Sequence, residues 1–339
     1  MRRIAPVRAP GTAGDIMRYT VEQAREMARR AAVAAGAGDA TAAALADATV
    51  AAELSGRSAV GFAHLPDYLD AVQAGRIDGT AQPEIHHPAP AVIRIDARDG
   101  IAQLGFDLAF GRLCAAAGTC GVAILAQENS YTAGELGYYT RRLAGAGLVA
   151  LAVSNGPALM TAGHGRGPAY GTNPLSFAAP VRNAPPLVFD QASSAAAFVT
   201  IRQAADRGES IPEGWALDAQ GRQTTDARAA VKGVLLAFGG ARGANIALMV
   251  EVLAAGLTGA NWSADTPSFT DGNRSPGVGL FIIAIQPDVL APGLADRLAA
   301  QIDRLAARGI HIPGRYRATG EIDLPTALAN AIERYGAAT

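Results

Sequence analysis

The stretch VLLAFGGARGANIALMVEVLAAGL, residues 234–257, decides how the rest of the chain is read. It opens as a strand-like apolar run, breaks at Gly239 and Gly240, and continues as a long helical pattern with Arg242 and Gly243 in its first turn. Glycines let a backbone come close to a ligand, and a helix N-terminus favours negative charge. Arg242 adds a guanidinium suited to phosphate, although a plain strand-to-helix turn has the same outline. The spacing matches neither G-x-G-x-x-G after a strand nor a phosphate-binding P-loop. The glycines of GAGD (36–39) and GHGRG (163–167) do not supply either motif. A conventional dinucleotide fold is therefore not supported.

Outward from this stretch, apolar runs alternate with helical patterns. GVGLFIIAI (277–285), LVALAVSN (148–155), GVAILAQ (121–127), AVIRIDARDG (91–100), LSFAAPV (175–181) and PLVFDQA (186–192) read as strands. FDLAFGRLCAAAGTCG (106–121), GELGYYTRRLAGAG (134–147) and residues 195–207 read as helices, and residues 211–226 as a loop. The chain ends differ: helices over 20–35, with Thr20 as N-cap, and 40–56 are followed by a third over GFAHLPDYLDAVQAG (61–75), and two more close the chain. The expected fold is α/β, a mixed-sheet middle with a helical domain built from both ends. The expected divisions are a loose extension (1–17), the first part of the helical domain (18–90), a cofactor-binding and catalytic domain (91–289) and C-terminal helices packing on the helical domain (290–339).

Composition narrows the function. Half of the 339 residues are hydrophobic, the net charge is −1, and no basic block interleaves with aromatics, so nucleic acid is not an expected partner. No apolar run is long enough to span a bilayer, and the basic start lacks the apolar stretch of a signal peptide. Cys114 and Cys120 fit neither a zinc site nor a redox pair; they read as small core residues of a reduced, cytoplasmic protein. Lys232 is the only lysine, so lysine chemistry has one candidate. No histidine or carboxylate cluster has metal-ligand spacing; His86 and His87 are adjacent, diverge, and read as surface loop residues.

YGTNPLSFAAP (170–180), LVFDQASS (187–194), SIPEGWALDAQGRQTTD (210–226), NSxxxGxLGYY (129–139), LPDYLDAVQAGRID (65–78) and the Gly-Gly-x-basic-Gly loop appear in an order that resembles the malate/L-lactate dehydrogenase family. That family is NAD(P)-dependent and includes sulfolactate dehydrogenase and piperideine-2-carboxylate reductase. The resemblance covers nearly the whole chain from about residue 18. It implies NADPH or NADH bound in a fold distinct from the usual dinucleotide domain, a small-molecule substrate and a homodimer. It assigns to the cofactor Ser154, Asn155, Gly171, Thr172, Asn173, Asp190, Ser193, Ser194, Ile211, Pro212, Gly240, Arg242 and Gly243. Arg242 stands where the family usually has lysine.

This chain departs from the family where the chemistry sits. The family's Asp-Ser-His-Gly-x-x-Arg reads Ser58-Ala59-Val60-Gly61-Phe62-Ala63-His64. The proton-donating histidine is thus Val60, and the arginine that holds the substrate carboxylate is His64. The second family histidine, in Asn-Ser-x-His-x-Gly, is Thr132. Neither valine nor threonine is an acid near neutral pH. A ketone reduced by hydride becomes an alkoxide that needs a proton, whereas an iminium already carries one. The first reading is accordingly reduction of C=N or an activated C=O. A second keeps 2-oxo/2-hydroxy acid chemistry with a relocated acid: His64 (one helical turn from Val60), Tyr131 or Asp190. A third is non-redox: a cofactor-binding scaffold, or an enzyme using the same pocket for isomerisation or cyclisation. The candidate catalytic residues are His64, Tyr131, Thr132, Asp190 and Ser58.

Overall fold

Thr20 closes one element and opens the next. Its hydroxyl accepts from the Gln23 amide at 3.2 Å, and the Gln23 side chain accepts from the Thr20 amide at 2.9 Å. This reciprocal cap satisfies donors that a helix start leaves free. A computed structural model describes residues 15–162, 167–314 and 320–337 of the chain. Strand β1 (Ile16–Thr20) leads into α1 (Val21–Ala35), α2 (Asp39–Leu54), two 3-10 turns (Ser58–Val60 and Phe62–His64) and α3 (Leu65–Gln73). Next come β2 (Glu84–Ala89), β3 (Val92–Asp96), α4 (Ala102–Cys120), β4 (Val122–Ser130), α5 (Gly137–Gly145) and β5 (Val149–Ser154). Then follow β6 (Met160–Thr161), β7 (Leu175–Ala179), β8 (Leu187–Gln191), α6 (Phe198–Arg207), β9 (Ala216–Leu217), α7 (Ala227–Val231), β10 (Val234–Leu236) and α8 (Ala241–Glu251), which continues as a π-helical stretch, Val252–Gly256. The last elements are β11 (Val278–Ile285), α9 (Pro287–Leu290), α10 (Leu294–Ala307), β12 (Glu321–Pro325) and α11 (Thr326–Ala337).

Seven strands form the main sheet in the order β2-β3-β4-β11-β5-β7-β8; β3 and β4 run parallel and the other neighbours antiparallel. The central β11 is buried on both faces, which is why VGLFIIAI reads as an unbroken apolar run. Leu280, Ile282 and Ala284 enter the core under α4 and α5, while Phe281 meets Val250 and Ala254 on the opposite face. A second, three-stranded sheet, β6-β10-β9, shares a core with α6 and α7. The mixed α/β expectation holds. No helix among the described residues is long and apolar enough to cross a membrane.

The chain ends meet. β1 pairs antiparallel with β12, and Ile322 and Leu324 join the core in which α1, α2, α3 and α11 pack. Strand β1 corrects the expected loose extension at Ile16 and Met17; residues 1–14 lie outside the described ones. Pairing with β12, 300 residues away in sequence, is invisible to local periodicity. α10 differs from α11: most of its residues are exposed, and its Asp296 pairs with Arg182 at 2.9 Å. His86 and His87 lie on strand β2, exposed, rather than in a loop. Cys114 is half-buried and Cys120 exposed, so neither is a full core residue.

The third helix begins only at Leu65, with Pro66 in its first turn. Two 3-10 turns hinged at Gly61 precede it, so Val60 and His64 do not share a helix face as expected. Pro66 lacks the amide hydrogen and favours helix starts, which sets this boundary.

Candidate active site

Where β5 ends, two side chains tie it to β11. The Ser154 hydroxyl donates to the Gly279 carbonyl at 2.7 Å, and the Gly279 amide donates to Asn155 Oδ1 at 2.9 Å. Asn155 Nδ2 also donates to the Asn261 carbonyl at 2.8 Å. Ser154, Asn155 and Gly156 thereby form one wall of a cleft of about 370 Å³. Leu159, Phe198, Val199 and Phe269 make its apolar surface, and Arg57, Val60, His64, Thr132, Glu135, Thr172 and Asp190 complete it.

The floor at Asp190–Ala192 runs on to the glycine loop. The Ser193 amide donates to Thr172 O at 2.7 Å, and the Ser193 carbonyl accepts from the Phe238 amide at 3.0 Å. Gly239 and Gly240 follow directly, both with positive φ and with open space where a Cβ would sit. Gly240 caps α8 without a side-chain partner, and Arg242 is exposed in the first turn. Gly243 is packed: a Cβ there would lie 2.0 Å from the Phe238 carbonyl oxygen. Asn173 sits beneath, at φ 38°, donating to Ala247 O at 2.9 Å and to Glu251 Oε2 at 2.7 Å, and its own Oδ1 is buried without a partner. An uncapped helix start, open glycines and an exposed arginine suit a pyrophosphate, and the cleft suits a ring. The residues present therefore fit a dinucleotide.

The structure brings only part of the expected set together. Ser154, Asn155, Thr172, Asp190, Thr132 and His64 line the cleft. Gly171 packs on the backbone of Gly156 behind it. Asn173, Ser193 and Ser194 are buried supports; Ser193 donates to Asn173 O at 2.6 Å and Ser194 to Ala196 O at 2.7 Å. Ile211 belongs to the small core under α6 and α7, and Pro212 beside it is exposed. Gly240, Arg242 and Gly243 are at the glycine loop. Tyr131 is turned inward: its hydroxyl donates to Phe269 O at 3.0 Å and its ring stacks edge-on with Phe269. Ser58 is exposed outside the lining and donates to Glu53 Oε1 at 2.5 Å. The geometry leaves Tyr131 and Ser58 without access to the cleft.

Three polar pairs set its charge. His64 Nδ1 is 2.7 Å from Asp67 Oδ2, and that bond holds the Asp67 carboxyl below its ordinary value. Asp190 Oδ2 accepts from the Gly137 amide at 2.8 Å; burial raises its carboxyl, while that bond and the charges of Arg57 and Arg141 oppose the rise. Glu135 is buried, and both its oxygens accept from Arg141, at 2.8 and 2.9 Å. Glu128 pairs with Arg94, at 3.0 Å. Asp107 takes the Tyr138 hydroxyl at 2.9 Å and Arg142, so Tyr138 packs with its hydroxyl occupied.

The Glu135–Arg141 pair has a testable consequence. Burial raises the Glu135 carboxyl above its ordinary value, against the pull of Arg141. A raised carboxyl favours the fold while protonated, and that contribution is lost as pH rises through its folded value. Arg141→Met removes the opposing charge. The variant is expected to lose stability more steeply than wild type as pH rises above the ordinary glutamate value of about 4.3, ending about 3 kcal/mol weaker. Urea denaturation at several pH values checks this, and parallel profiles would refute it.

Arg57, Asp67 and Phe269 were missed by sequence reasoning. Arg57 directly precedes the altered motif, but arginine is so common in this chain that its presence carried no weight. Phe269 reaches the cleft from a loop remote in sequence, where no local signal exists.

Comparison with known proteins agrees with this geometry. A profile described as malate/L-lactate dehydrogenase matches residues 19–326. The (2R)-3-sulfolactate dehydrogenase (NADP(+)) of Chromohalobacter salexigens is 38% identical over 292 residues, covering 84% of this chain and 87% of that protein. The Δ1-pyrroline-2-carboxylate/Δ1-piperideine-2-carboxylate reductase of Pseudomonas aeruginosa is 36% identical over 307 residues, covering 89% and 92%. The crystal structure of Δ1-piperideine-2-carboxylate reductase from Pseudomonas syringae pvar. tomato superposes with a TM-score of 0.90 at 32% identity, covering 94% of this chain and 99% of that one. The chain belongs to the malate/L-lactate dehydrogenase family. At the level of that family, the expected nicotinamide-dependent oxidoreductase holds.

Proposed function

We propose that this protein is an NAD(P)H-dependent reductase of the C=N bond of a small cyclic imine. The observation that carries this reading is that Val60 and Thr132 line the cleft where the family resemblance places two histidines. Reduced nicotinamide, when bound, supplies hydride. Ser154, Asn155 and Thr172 would hold the nicotinamide end, and Gly240 and Arg242 the phosphates. Leu159, Phe198, Val199 and Phe269 exclude water from the apolar part of the cleft. The cleft contributes orientation, and the Thr132 hydroxyl can accept an iminium N–H. Support comes from relatives named as Δ1-pyrroline-2-carboxylate reductases, including one from Ancylobacter novellus at 34% identity. A homodimer draws support from exposed Leu248, Met249, Val252, Leu257 and Trp262 on and beside α8. A cytoplasmic site of action fits the free cysteines.

One observation favours a second reading. The His64–Asp67 pair at the cleft has the form of an imidazole oriented by a carboxylate, and the sulfolactate dehydrogenase relative acts on a 2-hydroxy acid. His64 would then be the relocated acid. The two readings separate when purified protein is assayed with NADPH and NADH against Δ1-piperideine-2-carboxylate and pyruvate. Under the first, kcat/KM for the imine exceeds that for pyruvate by about 100-fold, since a general acid contributes that much or more to ketone reduction. Pyruvate reduction that dominates and disappears in His64→Ala would overturn it.

A further inference from the structure

Resting on that reading, we propose that Arg57 holds a carboxylate of the substrate. His64 and Arg57 are the basic side chains that line the cleft. His64 already has an anionic partner in Asp67, at 2.7 Å, and meets the Tyr68 ring edge-on. Arg57 has no ion pair among the described residues: its hydrogen bond is Nη2 to the main-chain carbonyl of Asp190, at 2.8 Å, and the Asp190 and Glu135 carboxyls feel its charge without bonding to it. The nearby Glu135 is taken by both bonds from Arg141, and the Asp190 carboxylate by the Gly137 amide.

A guanidinium has five N–H donors in a rigid fork. One is used here to anchor Arg57 against β8, which fixes the plane of the group without neutralising it. The remaining donors suit two-point recognition of a planar carboxylate, which a lysine would not reproduce. Ala59 and Val60 follow Arg57 after Ser58, and Phe198 and Phe269 line the same cleft. A substrate with a carboxylate next to an apolar ring matches this arrangement: charge at Arg57, ring against Val60 and the phenylalanines. The geometry asks for a cyclic imine with a carboxylate beside the ring, which the substrate named for the Δ1-pyrroline-2-carboxylate reductase relatives satisfies.

Two measurements on the full chain test the assignment. The first compares kcat/KM for Δ1-pyrroline-2-carboxylate and for uncharged Δ1-pyrroline. In Arg57→Met the ratio is expected to fall by about 100-fold, mostly through KM, and in Arg57→Lys by about tenfold. An equal loss on both substrates would mark Arg57 as structural and overturn the proposal. The second uses the unreactive probes pyrrole-2-carboxylate and pyrrole-2-carboxamide, titrated by calorimetry with NADP+ present. Wild type should bind the carboxylate at least about tenfold more tightly, and Arg57→Met should lose that preference. No preference in wild type, or one that survives in both variants, overturns the proposal. Turnover of neither imine by wild type would sink the reductase reading, and the binding measurement would still decide Arg57.

Discussion

Val60→His is expected to raise kcat/KM for a 2-oxo acid such as pyruvate by about 100-fold, at the low end of what a placed general acid contributes. Val60 lines the cleft on a 3-10 turn and is 37% exposed, so an imidazole fits without displacing core. The new activity should decline as pH rises above about 6.5, the ordinary imidazole value, because the donor must be protonated. Imine reduction should change by less than about threefold, since an iminium brings its own proton. Pyruvate and Δ1-piperideine-2-carboxylate kinetics over pH 5–9 check this (about two pH units either side of imidazole). If the variant folds, reduces the imine and gains nothing on pyruvate, proton supply is not what separates this cleft from a ketone reductase.

Gly279→Ala is expected to cost at least about 3 kcal/mol, more than most overpacking changes. Gly279 lies on the buried β11, where the register against β4 shifts. A Cβ there would stand 1.7 Å from the Ala254 carbonyl oxygen and 2.7 Å from Thr258 Oγ1. Backbone cannot yield as a flexible side chain does, so the π-helical stretch or the strand must move. The same residue holds Ser154 and Asn155 in place through its carbonyl and amide. The variant should therefore lose NADPH affinity by more than its stability loss alone explains, when both are measured below the denaturation midpoint. A urea midpoint within error of wild type would contradict the packing argument, and full cofactor affinity in a destabilised variant would separate the two roles.

Much of the fold was legible locally. The two-face burial of β11 left an unbroken apolar run, Thr20 and Gln23 announced the start of α1, and the α4, β4, α5, β5 succession was written in periodicity. The missed strands were β1, β2, β6, β9 and β12: β1, β6 and β12 pair with strands distant in sequence, β9 lies in a turn-rich run, and β2 carries His86, His87 and Pro88 rather than an apolar alternation. The site was legible as a set of segments, because motif order survives without geometry. Its membership was not. Tyr131 and Ser58 look as chemical as His64 in one dimension, yet one hydroxyl is spent on Phe269 and the other on Glu53. Arg57 looked like one arginine among many until its free donors at the cleft, with no ion pair among the described residues, could be seen.

By itself, the sequence determined the α/β class, the absence of the usual glycine fingerprint, the family, and the loss of imidazole at Val60 and Thr132. Those features depend on residue identity and on spacing along the chain, which is one-dimensional information. Only the tertiary structure decided which groups face the cleft, that Gly61 separates the turns carrying Val60 and His64, that Glu135 is buried with Arg141, and that Arg57 has no ion pair among the described residues. Those outcomes depend on which segments pack together and which charges they bury as pairs, and pairing across a fold is set by distances that sequence separation does not encode.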